Sequence, residues 1–415
     1  MYFKQLKQVF FVYGLSVICS VASADIFDQS LSVIAQSNRM RNDSVVLTEP
    51  STGLAAWIDN PQARLSFEES HSGGLDSSYR MRFNPIPRKE QRASRTISNL
   101  RQDRQKLGRS EHMLDEMNVV YQHVVDIVRG ELEERNLTQK LELLNLSTQY
   151  HQSLAQTDEF NPERLQKVNI DTARMNKAKQ VNEIRIRQLR LAIAGAIESS
   201  EDLTKAALDS NAIISPKEIW SLVEQQKTDW FEKTMSRRSA IESLTTRILQ
   251  EEVGLSKAQS GFGFNLMEFE LNNSSSGNSI GVTFGFRLPN IGSNTELIRR
   301  QLDFAEANEK NVAKDFINVQ TINELIDALE LNFREWSAYD ELLSKYSGDG
   351  DSSAAGDPEL ILIQSEEQLS LSQRVSDSYV NMLRAYVDLI SFSGTIIRLP
   401  LRNWLKTGQP VIAGL

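Results

Sequence analysis

The sequence predicts an α+β fold, mainly α, in which long antiparallel helices pair as coiled coils, two β-hairpins interrupt them, and two internal repeats build the whole. Three observations carry this. Prolines number only ten and are scarce between residues 90 and 260, so helices can run long. Two segments about 200 residues apart alternate apolar and polar residues with the period of strands. The exits from these segments resemble each other: Met81-Arg82-Phe83-Asn84-Pro85-Ile86 aligns with Phe286-Arg287-Leu288-Pro289-Asn290-Ile291 at an offset of 205 residues.

Residues 1–24 have the pattern of a secretory signal. Lys4 and Lys7 supply the positive start, Val9 to Ile18 the short apolar run, and Ala22-Ser23-Ala24 the cleavage site. The run is far short of the roughly 20 residues that span a bilayer as a helix. Cys19, the one cysteine, lies within the signal, so the mature chain has no disulfide or thiol chemistry.

The first repeat is expected over 25–210. Ala63, Leu65 and Phe67 alternate with Arg64, Ser66 and Glu68; after a turn-rich stretch, Tyr79, Met81 and Phe83 alternate with Arg80, Arg82 and Asn84. These give strands over about 62–70 and 78–84. A helix over about 88–150 follows, with Met113, Met117, Val120, Val124 and Ile127 spaced by four and three as a coiled-coil seam. A breaker cluster at Thr157 to Pro162 turns the chain into a returning helix over about 163–199.

The second repeat is expected over 211–400. Ser215-Pro216-Lys217-Glu218 is a helix start, a cap followed by proline. Strands over about 261–271 and 279–288 come next. In the first, Phe262, Phe264 and Leu266 form one face until the pattern slips, a sign of a bulge. The loop is expected at Asn272 to Asn278. Beyond it Ile280, Val282, Phe284, Phe286 and Leu288 oppose Gly281, Thr283, Gly285 and Arg287. Helices over about 294–346 and 358–393 flank a Gly/Ser/Asp loop, and 401–415 is a C-terminal tail.

Formal charge is −9, and −11 once Lys4 and Lys7 leave with the signal. An acidic chain without a Lys/Arg block does not suit nucleic acid. Charges interrupt every later apolar run, so any crossing of a membrane must use strands. His112 and Glu116 stand one turn apart without a second ligand at metal spacing, which suggests a surface pair. No phosphate loop, nucleophile motif or cofactor signature stands out. No carboxylate appears set in apolar surroundings, so an enzyme is not indicated. Trp57, Trp220, Trp230, Trp336 and Trp404 suggest local packing around a belt midway along the helices.

Asn60-Pro61 before the first strand, Leu288-Pro289-Asn290-Ile291-Gly292 after the last, and Gly356-Asp357-Pro358-Glu359-Leu360 opening the final helix recur here in a fixed order. With Tyr386-Val387-Asp388-Leu389-Ile390 followed by Gly394, they resemble the TolC-like outer-membrane factors of efflux and type I secretion systems. The resemblance covers nearly the whole mature chain. It implies a homotrimer whose chains each give four strands to one barrel in the outer membrane, above a helical tube in the periplasm. It implies as partners a periplasmic adaptor protein and an inner-membrane transporter, with no cofactor. Four strands cannot close a barrel alone and open edges are not tolerated in lipid, which argues for oligomerisation independently.

Under this resemblance Arg64, Arg80, Arg82 and Arg287 face the lumen. There they either favour anions or pair with Glu68 and its neighbours as barrel packing. At the periplasmic tips, Asp158 and Glu159 stand in the first turn and Asp349, Asp351 and Asp357 in the second. The latter three form either an acidic ring at the entrance or a solvated loop. Both tips depart from the family's compact turn, which implies either that no adaptor docks there or that the docking partner is an unusual one. A non-conducting interaction protein on the same scaffold is the alternative.

Overall fold

The structure, a computed structural model, describes residues 26–43, 58–69, 75–156, 158, 160–195, 212–261, 263–274, 277–287, 295–348, 358–409 and 411. The signal segment, Trp57 and the second tip lie outside these. The described elements run α1 (Ile26–Asp43), β1 (Ile58–Glu69), β2 (Leu75–Pro85), α2 (Arg88–Ser153), α3 (Pro162–Gly195), α4 (Pro216–Ser260), β3 (Gly263–Ser274), β4 (Gly277–Arg287), α5 (Thr295–Gly348), α6 (Pro358–Phe392) and the single turn α7 (Thr395–Arg398). The order helix, hairpin, long helix, shorter helix thus occurs twice.

The 66 residues of α2 extend about 99 Å at 1.5 Å each. No compact core can accompany a helix of that length along its whole run. Near the sheet α2 and α5 both lie against α4: Arg101 pairs with Glu252 at 2.7 Å, and Asn311 donates to the Thr246 hydroxyl at 2.7 Å. Farther along, α3 returns against α2 and α6 against α5. The starts of α4 and α3 are capped by side chains as their sequences dictate. Ser215 Oγ accepts from the Glu218 amide at 3.3 Å with Pro216 in the first turn, and Asn161 Oδ1 accepts from Glu163 and Arg164 at 3.0 and 3.2 Å.

Between these two zones sits the one hydrophobic core among the described residues. The α2 seam enters it, with Met117, Val120, Val124 and Ile127 buried and Met113 packed against them. Facing it are Phe27 and Leu31 of α1, Trp230 of α4, Ile322 and Ile326 of α5, and Leu383, Tyr386 and Ile390 of α6. The C-terminal segment closes this belt. Ile214 donates its amide to Leu405 O at 2.8 Å, Thr407 donates to Ala212 O at 2.8 Å, and Asn403 and Lys406 both hold Asp28. The tryptophans behave as belt residues: Trp230 and Trp404 are buried, and Trp220 stacks on Phe333 with centroids 5.2 Å apart.

The four strands form one antiparallel sheet in the order β1-β2-β3-β4, so the two hairpins join through β2 and β3. Two irregularities mark it. One falls between Asp59 and Gln62, where Pro61 cannot donate to the ladder. The other falls between Phe264 and Leu266. This second shift corrects the expected apolar face of β3. Phe264 pairs with Phe286, but past the bulge the apolar positions are Met267, Phe269 and Leu271, and Leu266 turns to the opposite face beside Gly285. The expected loop at Asn272–Asn278 is shorter too. Asn272, Asn273 and Ser274 remain paired with Ser279, Asn278 and Gly277, because a backbone ladder does not require apolar side chains.

Candidate functional site

Cross-strand partners share a face, so the register sorts the sheet into two surfaces. One carries the rows Gln62–Arg82–Glu268–Thr283, Arg64–Arg80–Glu270–Gly281 and Ser66–Ser78–Asn272–Ser279. The other carries Leu65–Tyr79–Leu271–Ile280 and Ala63–Met81–Phe269–Val282, with Phe83, Met267 and Phe284 beyond them. No described element packs on either surface. Ile280 is 75 % exposed and Phe284 53 %, so the apolar face is bare within a single chain. A soluble domain buries such a face; this one presents it.

The four arginines expected on the polar face are not equivalent. Arg80 forks between Glu268 at 3.2 Å and Glu270 at 3.0 Å, acids of the neighbouring strand β3, rather than pairing with Glu68. The reason is the register, which puts Glu270 directly opposite Arg80 and Glu268 opposite Arg82, whereas Glu68 lies opposite Asp76 near the hairpin end. Arg64 and Arg82 make no ion pair among the described residues. Arg287 sits where the sheet meets the helices. It pairs with the nearly buried Glu90 of α2 and donates to Ala258 O at 3.3 Å and to Gly261 O at 3.5 Å. It ties β4 to α2 and α4.

Glu90, Glu268 and Glu270 are the residues that sequence reasoning missed here. The signal for the last two was present, since Met267-Glu268-Phe269-Glu270-Leu271 alternates as cleanly as β4 once the bulge resets the phase. Glu90 gave none, being one charge among many at the start of α2.

At the far end of the helices Asp158 is exposed in the first tip. Glu159, Asp349, Asp351 and Asp357 lie outside the described residues. Arg164, at the start of α3, pairs with Glu359, at the start of α6, at 3.1 Å, so the starts of these two helices lie side by side. His112 and Glu116 form a surface pair at 3.3 Å, and no group of three metal-ligating side chains occurs among the described residues. No described helix is long and apolar enough to cross a membrane.

Contrary to the expectation for carboxylates, two do sit in surroundings that raise their affinity for a proton. Burial pushes Asp388 up, against a hydrogen bond from Gln122 and the charge of Arg384, and burial likewise raises Glu242. Both lie in helix–helix seams, where a lengthwise contact removes water from polar positions.

No protein-family model matches this sequence, and no curated protein is significantly similar to it in sequence. Solved structures do match the fold over nearly the whole chain. The chain is similar to CusC, described as forming a transmembrane channel, with a TM-score of 0.62 at 10 % identity, covering 91 % of this chain and 95 % of that one. It is similar to the outer-membrane protein VceC of Vibrio cholerae (TM-score 0.61, 9 % identity, 89 % and 95 % covered). The outer-membrane channel CmeC of Campylobacter jejuni matches at 0.60 and 10 % identity, covering 92 % and 90 %. The fold is therefore that of the TolC-like outer-membrane channels.

Proposed function

We propose that this chain is one subunit of a homotrimeric outer-membrane channel, the passive export duct of a tripartite efflux or type I secretion system. The observation that carries the reading is the sheet: four strands, one polar face, one bare apolar face, two free edges, and long helices, the longest about 99 Å, leading away from it. Lipid or a partner must cover the apolar face, and further strands must pair with β1 and β4, because unpaired backbone groups cost several kcal/mol each in hydrocarbon. Three copies give twelve strands, an even number within the range of outer-membrane barrels. Two repeats, over 25–210 and 211–400, each contribute a hairpin and a pair of long helices. The helices reach into the periplasm toward an adaptor protein, and an inner-membrane transporter supplies the energy. The chain itself carries out no chemistry.

Arg64 and Arg82 line the lumen and give it a preference for anions, because their charges have no acidic partner among the described residues while Arg80 and Arg287 are held by acids. The test is conductance of the purified, detergent-extracted protein in a planar bilayer, together with its mass. A trimer with steady, discrete openings is expected. Charge reversal of Arg64 and Arg82 together should move the reversal potential toward cations, and reversal of Arg287 should leave it in place. A membrane-inserted trimer that never conducts would instead favour the non-conducting scaffold.

A further inference from the structure

Beside the belt, where α4 meets the C-terminal segment, lies a half-open cleft of about 600 Å³. Its wall includes the cations Lys233, Arg398 and Arg402, the single acid Asp229, and the indoles of Trp230 and Trp404. Asp229 is already engaged by Lys233, one turn away on α4. Neither Arg398 nor Arg402 has an acidic partner among the described residues. Burial, and then the charge of Arg398, depress the affinity of the Lys233 amine for its proton, as crowded cations do.

The hydrogen-bonding groups of this wall are unbalanced in the same direction. Trp230 and Trp404 are 1 % and 3 % exposed, and neither indole N–H finds an acceptor among the described residues; nor does the buried Nε–H of Arg402. Each buried donor left unmet costs roughly 1–3 kcal/mol. The Arg402 guanidinium lies over the Trp404 ring, 4.7 Å from its centroid, which holds the cation in one place before anything binds. Excess positive charge, excess donors and a fixed guanidinium are the complement of an oxyanion. The volume exceeds what one bare ion fills and falls within the usual range for small-molecule sites.

We propose that this cleft binds a small molecule through an oxyanion, a carboxylate or a phosphate, taken up by Arg398 and Arg402, with the molecule's apolar body against Trp230 and Leu399. Binding there would brace α4 against the C-terminal segment. The proposal stands whether or not the chain conducts.

Calorimetric titration of the full chain in detergent tests it, with inorganic phosphate, phenyl phosphate and benzoate as probes and benzyl alcohol as the neutral control. Saturable binding of at least one anion and none of the alcohol is expected, and the stronger anion identifies the oxyanion class. Arg398→Gln, at an exposed and unpaired side chain, should weaken binding by about tenfold, the loss of one charge-assisted contact. Arg402→Lys should weaken it less than Arg402→Gln. The proposal is overturned if no anion binds, if benzyl alcohol binds equally well, or if Arg398→Gln with Arg402→Gln leaves the affinity unchanged in a chain that melts like the parent.

Discussion

At Gly130 the backbone of α2 comes so close to α3 that a methyl group has no room. A Cβ there would lie 2.7 Å from Ile186 Cγ1 and 3.1 Å from its Cδ1, while Asn182 Nδ2 donates to the Gly130 carbonyl at 2.7 Å. Ile186 is buried and cannot swing away. Gly130→Ala gains roughly 1 kcal/mol of helix propensity but meets an overpacking cost of roughly 1–3 kcal/mol, so stability should fall by up to about 2 kcal/mol. Gly108, on the same helix with nothing within 4 Å of its Cβ position, is the control. Gly108→Ala should raise stability by about 0.5–1 kcal/mol. Denaturant midpoints followed by far-UV circular dichroism separate the two, and a rise for both variants would mean that the helices do not approach closely at Gly130. Little of this was legible beforehand. A glycine within a charged helical stretch hints at close approach, but no local pattern says that Asn182 and Ile186 are what approach it. The arginines of the sheet follow the same logic: alternation assigned their face, whereas the register across β2 and β3, a non-local pairing, decided which of them found acids.

Along the α2–α6 seam, apolar and polar contacts run in parallel. Beside the buried Met117, Val124 and Ile127 stands a second line of pairs: Asn118 with Ser391 at 2.7 Å, Gln122 with Asp388 at 2.7 Å, and Asp126 with Arg384 at 2.7 Å. These fall at steps of four on α2, one turn apart, and fix the two helices in one register as apolar packing alone does not. The apolar half was readable from the four-and-three spacing. The polar half was not, since Asp388 looks like any surface acid until α2 lies on it. Burial raises its pKa, so ionisation is disfavoured in the folded chain. Such a group is most favourable to folding below its unfolded pKa, and that contribution is lost as pH rises through the folded value. Asp388→Asn keeps an acceptor for Gln122 and removes the charge. The variant should therefore be at least as stable as the parent near neutral pH, with the gap closing as pH falls through the carboxylate range. Melting temperatures across that range check this; a variant less stable at neutral pH would mean that the pull of Arg384 outweighs burial.

For the molecule as a whole, the decisive feature is a surface with nothing on it. A chain of this size could bury a sizeable core, yet among the described residues only one belt is buried as a core, and the sheet leaves a whole apolar face uncovered. That arrangement follows from the helices, because about 44 Å of α2, from Arg88 to Met117 at 1.5 Å per residue, separates the sheet from the one place among the described residues where layers converge. If lipid covers the face, substitutions on adjacent residues of β4 must diverge. Val282 shares the apolar face with Phe269, and Thr283 shares the polar face with Glu268. An arginine facing lipid near the bilayer midplane costs about 2–4 kcal/mol, and a trimer would meet that cost in every chain. Val282→Arg should therefore sharply reduce recovery of folded oligomer from lipid vesicles, judged by its altered gel mobility before heating. Thr283→Arg, facing an aqueous lumen beside Glu268, should fold at parental yield. Equal tolerance of both would place protein rather than lipid against the apolar face and turn the sheet into a docking surface. Failure of Thr283→Arg alone would assign the polar face to a tightly packed interior and remove the argument for a lumen.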